Sequence, residues 1–277
     1  MQDASAYCAE LVREGDRDRY LTTLFAPPDR REALAALYAF NVEISRVREL
    51  AREPLPGEIR LQWWLDVLDG ERAEEANANP VAAALLTAIE RHRLPASKLA
   101  DIIEARRFDL YDEELPHLAD LEIYASGTSS ALIALAAQIL GVDAAAAAEP
   151  AGIAYGLTGL LRAFAVHAAR RQLYLPADIR ERHGVQAYDI FAGRTSPGLN
   201  AALADLRGLA RRHLAAAREN LLRLPAEALP AFLPVALVRP ALDRLDRTDA
   251  FAPVELSPWR RQWLIWRAAR NPARIAA

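Results

Sequence analysis

A first group of polar residues, Asn41, Ser45 and Glu49, recurs at four-residue steps in an otherwise apolar stretch. A helix places residues with this spacing on one face, beside Leu34 and Leu37. Such a face could line a polar cavity. The pattern also fits an ordinary amphipathic helix with Asn41 and Ser45 at its boundary, and the spacing leaves both alternatives open.

A second group, Thr158, Arg162 and His167, lies along one side of a very apolar helical stretch. An arginine there either extends outward to water or faces a polar cavity. Burial of an unpaired guanidinium is costly, so an inward Arg162 requires a partner or an anionic ligand. Arg170 and Arg171 follow, and basic residues at the end of a helix also complement its dipole.

The remaining candidates for metal or thiol chemistry are sparse. Cys8 is the only cysteine, which excludes an internal disulfide and fits a reducing compartment. We expect it to be a small, partly buried side chain. His92, His117, His183 and His213 show no metal-ligand spacing with one another or with Cys8. The net charge of −3 argues against general nucleic-acid binding.

Helical periodicity runs through the chain, and no alternating strand pattern, repeat or dividing linker accompanies it. We expect Asp29 to cap the helix that carries Asn41 and residues 52–57 to form a loop. The predicted helices cover residues 30–50, a segment around 61–68, segments opened by Pro80 and after Pro95, and residues 120–140, 152–169 and 201–224. The sequence therefore predicts one all-α domain over residues 1–277.

Several segments together resemble the squalene/phytoene synthase family over nearly the whole chain. They are residues 31–40, Leu61-Gln-Trp-Trp64, Asn79-Pro-Val81, residues 124–141 and 171–178, and Arg182-His-Gly-Val185. The resemblance implies an isoprenoid synthase (terpenoid synthase-like) helical bundle around a central cavity. In active members, two aspartate-rich helices hold Mg²⁺ ions that grip a prenyl diphosphate and assist its ionisation.

The chain departs from the family pattern in both aspartate-rich motifs. Where the first motif implies aspartates, the chain has Ser45, Arg46 and Glu49, next to Asn41. Where the second implies them, it has Ala163 and His167. A hard cation needs several oxygen ligands, so we expect no metal site, no bound cofactor and no assigned catalytic residue. The resemblance thus implies a degenerate synthase, or pseudoenzyme.

Residues 161–178 resemble a narrower branch, which contains mitochondrial complex I assembly factor 6. That resemblance implies a non-catalytic protein whose partners are respiratory complex I subunits or assembly proteins. Residues 1–20 are acidic and lack the features of a secretory signal or transit peptide. We therefore expect a bacterial cytoplasmic protein, with the periphery of the inner membrane as a further location.

Two alternatives keep a ligand in the cavity. In one, the protein is an active head-to-head prenyl transferase with an atypical site, and only this alternative would involve Mg²⁺. Guanidinium groups match phosphate oxygens, so arginines could grip the diphosphate. The arginines considered are Arg46, Arg48, Arg162, Arg170 and Arg171. In the other, the protein carries an isoprenoid or lipid. The candidate ligand-binding residues are Arg162, His167, Arg170, Arg171 and Tyr174.

The C-terminal segment combines Trp259, Trp263 and Trp266 with several arginines. A helix of this composition could contact a membrane surface that carries anionic lipid. More commonly, such a helix packs its tryptophans on the domain, and this is the arrangement we expect.

Overall fold

The computed structural model describes residues 3–51 and 53–276, and within these ranges it contains helices and turns but no strand. The α-helices are α1 (Ala4–Gly15), α2 (Arg17–Thr23), α3 (Pro28–Ser45), α4 (Val47–Leu50), α5 (Pro54–Leu68), α6 (Ala73–Ala78), α7 (Pro80–His92), α8 (Ala96–Arg107), α9 (Leu118–Ala125), α10 (Ala131–Ile139), α11 (Ala145–Arg162), α12 (Phe164–Ala169), α13 (Ala177–Arg182), α14 (Ala187–Phe191), α15 (Pro197–Leu222), α16 (Leu229–Phe232), α17 (Val238–Leu245) and α18 (Pro258–Arg270). A π-helical turn, Ser126–Ser130, separates α9 from α10. The predicted all-α class is confirmed.

The chain divides into two compact units. Unit 1 contains residues up to 110 together with 131–145 and 224–234, and unit 2 contains 111–130, 146–223 and the residues from 235 onward. Each unit therefore combines stretches that are distant in sequence. The expectation of a single domain over residues 1–277 stays a prediction.

Unit 1 is organised around α3, which packs on α1, α7 and α10. The helix contributes Leu34, Leu37 and Phe40 to the core, and the Phe40 ring meets Trp64 of α5 edge to face at 5.0 Å. Cys8 of α1 is fully buried, with its Sγ 3.9 Å from the carbonyl oxygen of Pro80. The single thiol is thus part of the packing between α1 and α7.

Unit 2 is organised around the long helix α15, which packs on α13 and α17. The helix predicted over residues 201–224 is confirmed in its main part, and one side of it forms a buried apolar stripe. The members of this stripe are Leu203, Leu206, Ala210, Leu214, Ala217 and Leu221. Gly152 of α11 allows a close approach to the π-helical turn, since a Cβ at this position would lie 2.3 Å from the Cα of Ser130.

Prolines and a capping residue explain why one predicted helix start was correct and another was wrong. Pro80 opens α7 as predicted, and Asn79 caps this helix by accepting from the backbone N–H groups of Val81 and Ala82. The N-cap prediction for Asp29 was wrong, since α3 begins at Pro28, where a missing N–H costs nothing.

The loop predicted for residues 52–57 was also wrong from Pro54 onward. Helix α5 begins at Pro54 and runs through Gly57. Gly57 serves packing rather than a turn, because a Cβ there would lie 2.4 Å from Cδ2 of Leu110. Arg52 lies outside the described residues.

The C-terminal tryptophans do not pack on unit 2, so the arrangement we expected for them was wrong. Helix α18 buries Ile265 and Ala268, which lie on its opposite side. Trp259, Trp263 and Trp266 are exposed. Across the described part of the chain, no helix is both long and apolar enough to cross a bilayer.

Candidate functional site

The first motif segment lies where α3 passes into α4. The helix predicted for residues 30–50 is interrupted at Arg46, whose φ of −100° and ψ of 6° break the helical course. Just before the break, the Ser45 hydroxyl donates to the carbonyl oxygen of Val42 at 3.2 Å. Such a bond from a serine to its own helix competes with regular helical hydrogen bonding, which helps α3 to end here.

The polar residues of this segment have different environments. Asn41 is buried, and its Oδ1 has no hydrogen-bond partner among the described residues. Ser45 is half-buried, whereas Arg46 and Glu49 are exposed. Arg46 Nε lies 3.2 Å from Glu49 Oε2, so the one carboxylate that remains in the motif pairs with a guanidinium. The segment offers a surface ion pair beside a buried amide.

Another carboxylate near this segment is Glu43 of α3, which lies on a different side of the helix from Asn41. It lines a groove of about 320 Å³ in unit 1, together with Arg60 and the paired rings of Trp63 and Trp64. Burial raises the pKa of the Glu43 carboxyl, and the nearby Arg60 opposes that rise. This groove was not predicted from the sequence, in which the only signal is a Glu between the apolar residues Val42 and Ile44.

The second motif segment lies where α11 passes into α12. Arg162 ends α11, and Ala163 interrupts the predicted continuous helix with a φ of −91° and a ψ of 4°. Arg162 and Ala163 are half-buried. Thr158 is buried, and its hydroxyl donates to the carbonyl oxygen of Ala154 at 2.7 Å. This hydroxyl is therefore satisfied within its own helix.

Aromatic contacts surround the position where the family motif has its second aspartate. The His167 ring lies 4.8 Å from that of Tyr174, and Tyr174 lies 5.4 Å from Tyr124. Both tyrosines are buried. Three residues before His167, at the start of α12, Phe164 packs on Phe251 at 5.5 Å. His167 thus belongs to an aromatic cluster of unit 2.

This cluster borders a small cavity within unit 2. Its walls are largely aliphatic, and its polar lining comes from His167, Gln172 and Tyr174. The lining residues are Leu121, Leu157, Leu160, Leu161, Phe164, His167, Gln172, Tyr174, Leu175, Leu203 and Leu206. The volume is about 20 Å³, which is room for about one water molecule. A prenyl chain does not fit in this cavity.

The candidate ligand-binding residues of unit 2 do not all converge. His167 and Tyr174 are in contact. Arg171 lies elsewhere, because its φ of 59° turns the chain and its guanidinium stacks over the Phe191 ring at 4.8 Å. Arg170 ends α12, with its backbone N–H directed at the carbonyl oxygens of that last turn. Both arginines are exposed, as residues at a helix end commonly are.

A family model described as "Squalene/phytoene synthase" matches residues 12–267 of the chain. The chain belongs to the squalene/phytoene synthase family. Among curated relatives, complex I assembly factor 6 of Rattus norvegicus is 35% identical over 250 residues, covering 89% of this chain and 75% of the rat protein. The protein of the same name from Homo sapiens is 34% identical over 246 residues, covering 88% and 74%. Chloroplastic phytoene synthase 2 of Solanum lycopersicum is 26% identical over 262 residues, covering 90% and 83%.

Solved structures confirm the predicted isoprenoid synthase fold of this family member. A dehydrosqualene synthase crystallised with a ligand superposes with a TM-score of 0.81 at 18% identity, covering 97% of this chain and 96% of that one. A squalene synthase from Alicyclobacillus acidocaldarius gives a TM-score of 0.73 at 21% identity, covering 90% and 95%.

The side chains of this family member do not fit the Mg²⁺ ions that the family resemblance implies. No Asp or Glu occurs between residues 150 and 177, which include the whole second motif. Over residues 3–51 and 53–276, no group of three or more His, Cys, Asp or Glu side chains is placed to hold a metal ion. Mg²⁺ requires oxygen ligands in near-octahedral arrangement, and the second motif supplies no carboxylate for this purpose.

Proposed function

We propose that this squalene/phytoene synthase family member is a non-catalytic protein that takes part in the assembly of respiratory complex I. One observation carries the proposal: the second motif has neither of its carboxylates. Its positions hold Ala163 and His167, and the His167 ring packs against Tyr174. The names of the rat and human relatives support the choice of complex I as the assembly target.

Electrostatics disfavours catalysis at this site. Departure of a diphosphate leaves negative charge on the leaving group, which divalent cations neutralise in active members. Arg46 is already paired with Glu49, and Arg171 stacks on Phe191. An arginine can hold a phosphate group, but holding it does not by itself make a carbon–oxygen bond ionise. A non-catalytic role therefore requires no Mg²⁺.

A direct assay tests the catalytic part. The full chain is incubated with Mg²⁺ and farnesyl or geranylgeranyl diphosphate, beside an active dehydrosqualene synthase as a positive control. We expect no squalene, presqualene diphosphate or phytoene above the level without protein. Any of these products at a rate that scales with protein concentration contradicts the proposal and supports the atypical transferase.

A genetic experiment tests the assembly part. The gene is deleted in the organism that encodes the protein, and assembled complex I is followed by native electrophoresis and NADH oxidation in isolated membranes. We expect less assembled complex, restored by the wild-type gene and by an Arg46→Ala variant, whose surface ion pair the proposal does not use. Normal complex I in the deletion strain contradicts a role in assembly.

A further inference from the structure

Helix α18 displays three tryptophans on its solvent side. Trp259 is 83% exposed, Trp263 is 51% exposed and Trp266 is 48% exposed. Steps of four and three residues put the three rings on one face of the helix, which we call the tryptophan face. The opposite side is anchored in unit 2 by Ile265 and Ala268, which are 1% and 0% exposed. The helix is thus firmly packed while its largest side chains face outward.

Positive charge accompanies this face. Arg267 lies over the Trp263 ring at 4.9 Å, and Arg270 lies over the Trp266 ring at 4.9 Å. Residues 255–276 contain five arginines and a single carboxylate, Glu255, although the whole chain carries a net charge of −3. The five are Arg260, Arg261, Arg267, Arg270 and Arg274. The segment therefore concentrates positive charge in a protein that is negative overall.

Tryptophan and arginine together suit the boundary between lipid and water. An indole ring combines a large apolar body with one N–H donor, and tryptophans are enriched where membranes meet water. Arginines beside them attract anionic headgroups. We propose that the tryptophan face of α18 docks the protein on the surface of an anionic lipid bilayer.

The dimensions of α18 fit a helix that lies flat on the membrane. It has 13 residues, about 20 Å at 1.5 Å per residue, which is shorter than the hydrocarbon core of a bilayer. A second copy of the chain is a poor occupant, because two such faces would bring like charges together. An acidic protein surface remains as the other outcome of the experiment. The inference does not depend on the proposed function.

Flotation of the full chain with lipid vesicles tests the inference. The vesicles contain phosphatidylcholine, either alone or mixed with phosphatidylglycerol. We expect at least about tenfold stronger binding to the anionic vesicles, because each arginine near the surface adds to the attraction for anionic headgroups. Binding should fall as salt is added. The tryptophan emission should shift to the blue, and Trp63 and Trp64 provide a constant background.

Three variants assign the binding to this face. Trp259→Ser/Trp263→Ser/Trp266→Ser should lower binding about tenfold or more and abolish the blue shift. Arg260→Gln/Arg270→Gln should weaken binding to anionic vesicles and leave the weak neutral binding unchanged. Leu55→Ser, at a 69% exposed apolar residue of unit 1, is the matched control and should bind like the wild type. Circular dichroism checks that every variant keeps its helices.

Several results would overturn the inference. They are the absence of vesicle binding by the wild type, equal binding to neutral and anionic vesicles, and unchanged binding by the triple tryptophan variant. A fourth is a wild type that is a dimer in solution and does not bind vesicles, while the triple tryptophan variant is a monomer. The tryptophan face would then join two copies of the chain. A fifth is a wild type that ignores vesicles but binds an acidic protein through these tryptophans.

Discussion

The α3–α4 and α11–α12 segments are each interrupted by one residue, and the two interruptions have similar backbone angles. Arg46 has a φ of −100° and a ψ of 6°, and Ala163 has −91° and 4°. Their side chains meet different surroundings. Arg46 is exposed and pairs with Glu49, whereas the residues after Ala163 join a buried aromatic cluster. The same backbone geometry is compatible with a polar surface in one unit and with core packing in the other.

This difference indicates how each segment tolerates the loss of its aspartates. In the first, the ion pair stands in water and contributes little to stability. In the second, the side chains contribute to the packing of unit 2, so the fold depends on them. Four experiments test this difference between the two segments, and they follow in order of decreasing effect.

The largest effect is expected at Phe164. Phe164→Ala removes a buried ring that packs on Phe251 at 5.5 Å, and should lower the free energy of unfolding by about 3–5 kcal/mol. Val166→Ala on the same helix is the control, because Val166 is exposed and should change it by less than about 0.5 kcal/mol. Urea denaturation measures both. Equal effects would show that α12 is not part of the core.

Restoring family carboxylates should be costlier in the second segment. Ala163→Asp/His167→Asp removes the contact between His167 and Tyr174 and places charge beside apolar walls, at a cost of about 1–3 kcal/mol. Ser45→Asp/Arg46→Asp should cost about 1 kcal/mol or less, since it changes a half-buried and an exposed side chain. Thermal denaturation with and without Mg²⁺ compares them. If Mg²⁺ raises the midpoint of thermal denaturation of Ala163→Asp/His167→Asp, a metal site has survived in the second segment.

The ion pair itself should contribute little. A double-mutant cycle with Arg46→Ala and Glu49→Ala should give a coupling energy of about 0.2–1 kcal/mol, as for other exposed pairs. The cycle removes the other interactions of Glu49 from the comparison. The exposed pair Arg223 and Glu219 is a matched reference. A coupling several times larger would mean that the first segment is more rigid than its exposure indicates.

The smallest effect should be a change of stability with pH at Glu43. Burial raises the pKa of this carboxyl above its ordinary value of 4.5, so the folded protein binds the proton more tightly than the unfolded chain. Stability then falls as the pH rises from about 4.5 through the raised pKa. Glu43→Gln should remove this decline and raise stability at neutral pH.

Glu75 is a control with the opposite sign. Its hydrogen bonds with Arg72 and Trp63 lower the pKa of its carboxyl, so its stabilising contribution is present at neutral pH and disappears on acidification. Glu75→Gln should therefore remove stability at neutral pH. Urea denaturation across the acidic range measures both variants. The difference in the free energy of unfolding between wild type and variant should change with pH in opposite directions for Glu43→Gln and Glu75→Gln. A change in the same direction would contradict the assigned environments.

The sequence predicted the elements whose signals are local. The start of α7 at Pro80 and the long helix α15 are examples. It missed the breaks at Arg46 and Ala163, because apolar periodicity continues across both residues. A loop was predicted at Pro54 to Gly57, but proline is tolerated in a first helical turn because its missing N–H has no helical partner there. Gly57 is present because the side chain of Leu110 packs closely against it, a tertiary contact that the local sequence does not show.

The candidate site was predicted less completely than the fold. The absence of carboxylates from the second motif follows from residue types alone and is read directly from the sequence. Three other features depend on packing and could not be predicted. They are the contact of His167 with Tyr174, the position of Arg171 away from this pair, and the exposure of the α18 tryptophans. Periodicity could not say which side of α18 would be buried, because both sides carry apolar residues.

The buried position of Cys8 has a practical consequence. Removal from water raises the pKa of its thiol to about 12, and Glu43 and Asp3 add to the rise, so almost no reactive thiolate exists while α1 stays packed. Because the chain has no other cysteine, alkylation by a thiol reagent marks only molecules in which unit 1 has opened. The rate of alkylation, measured by mass spectrometry, therefore reports the rate of local opening of that unit without any added label.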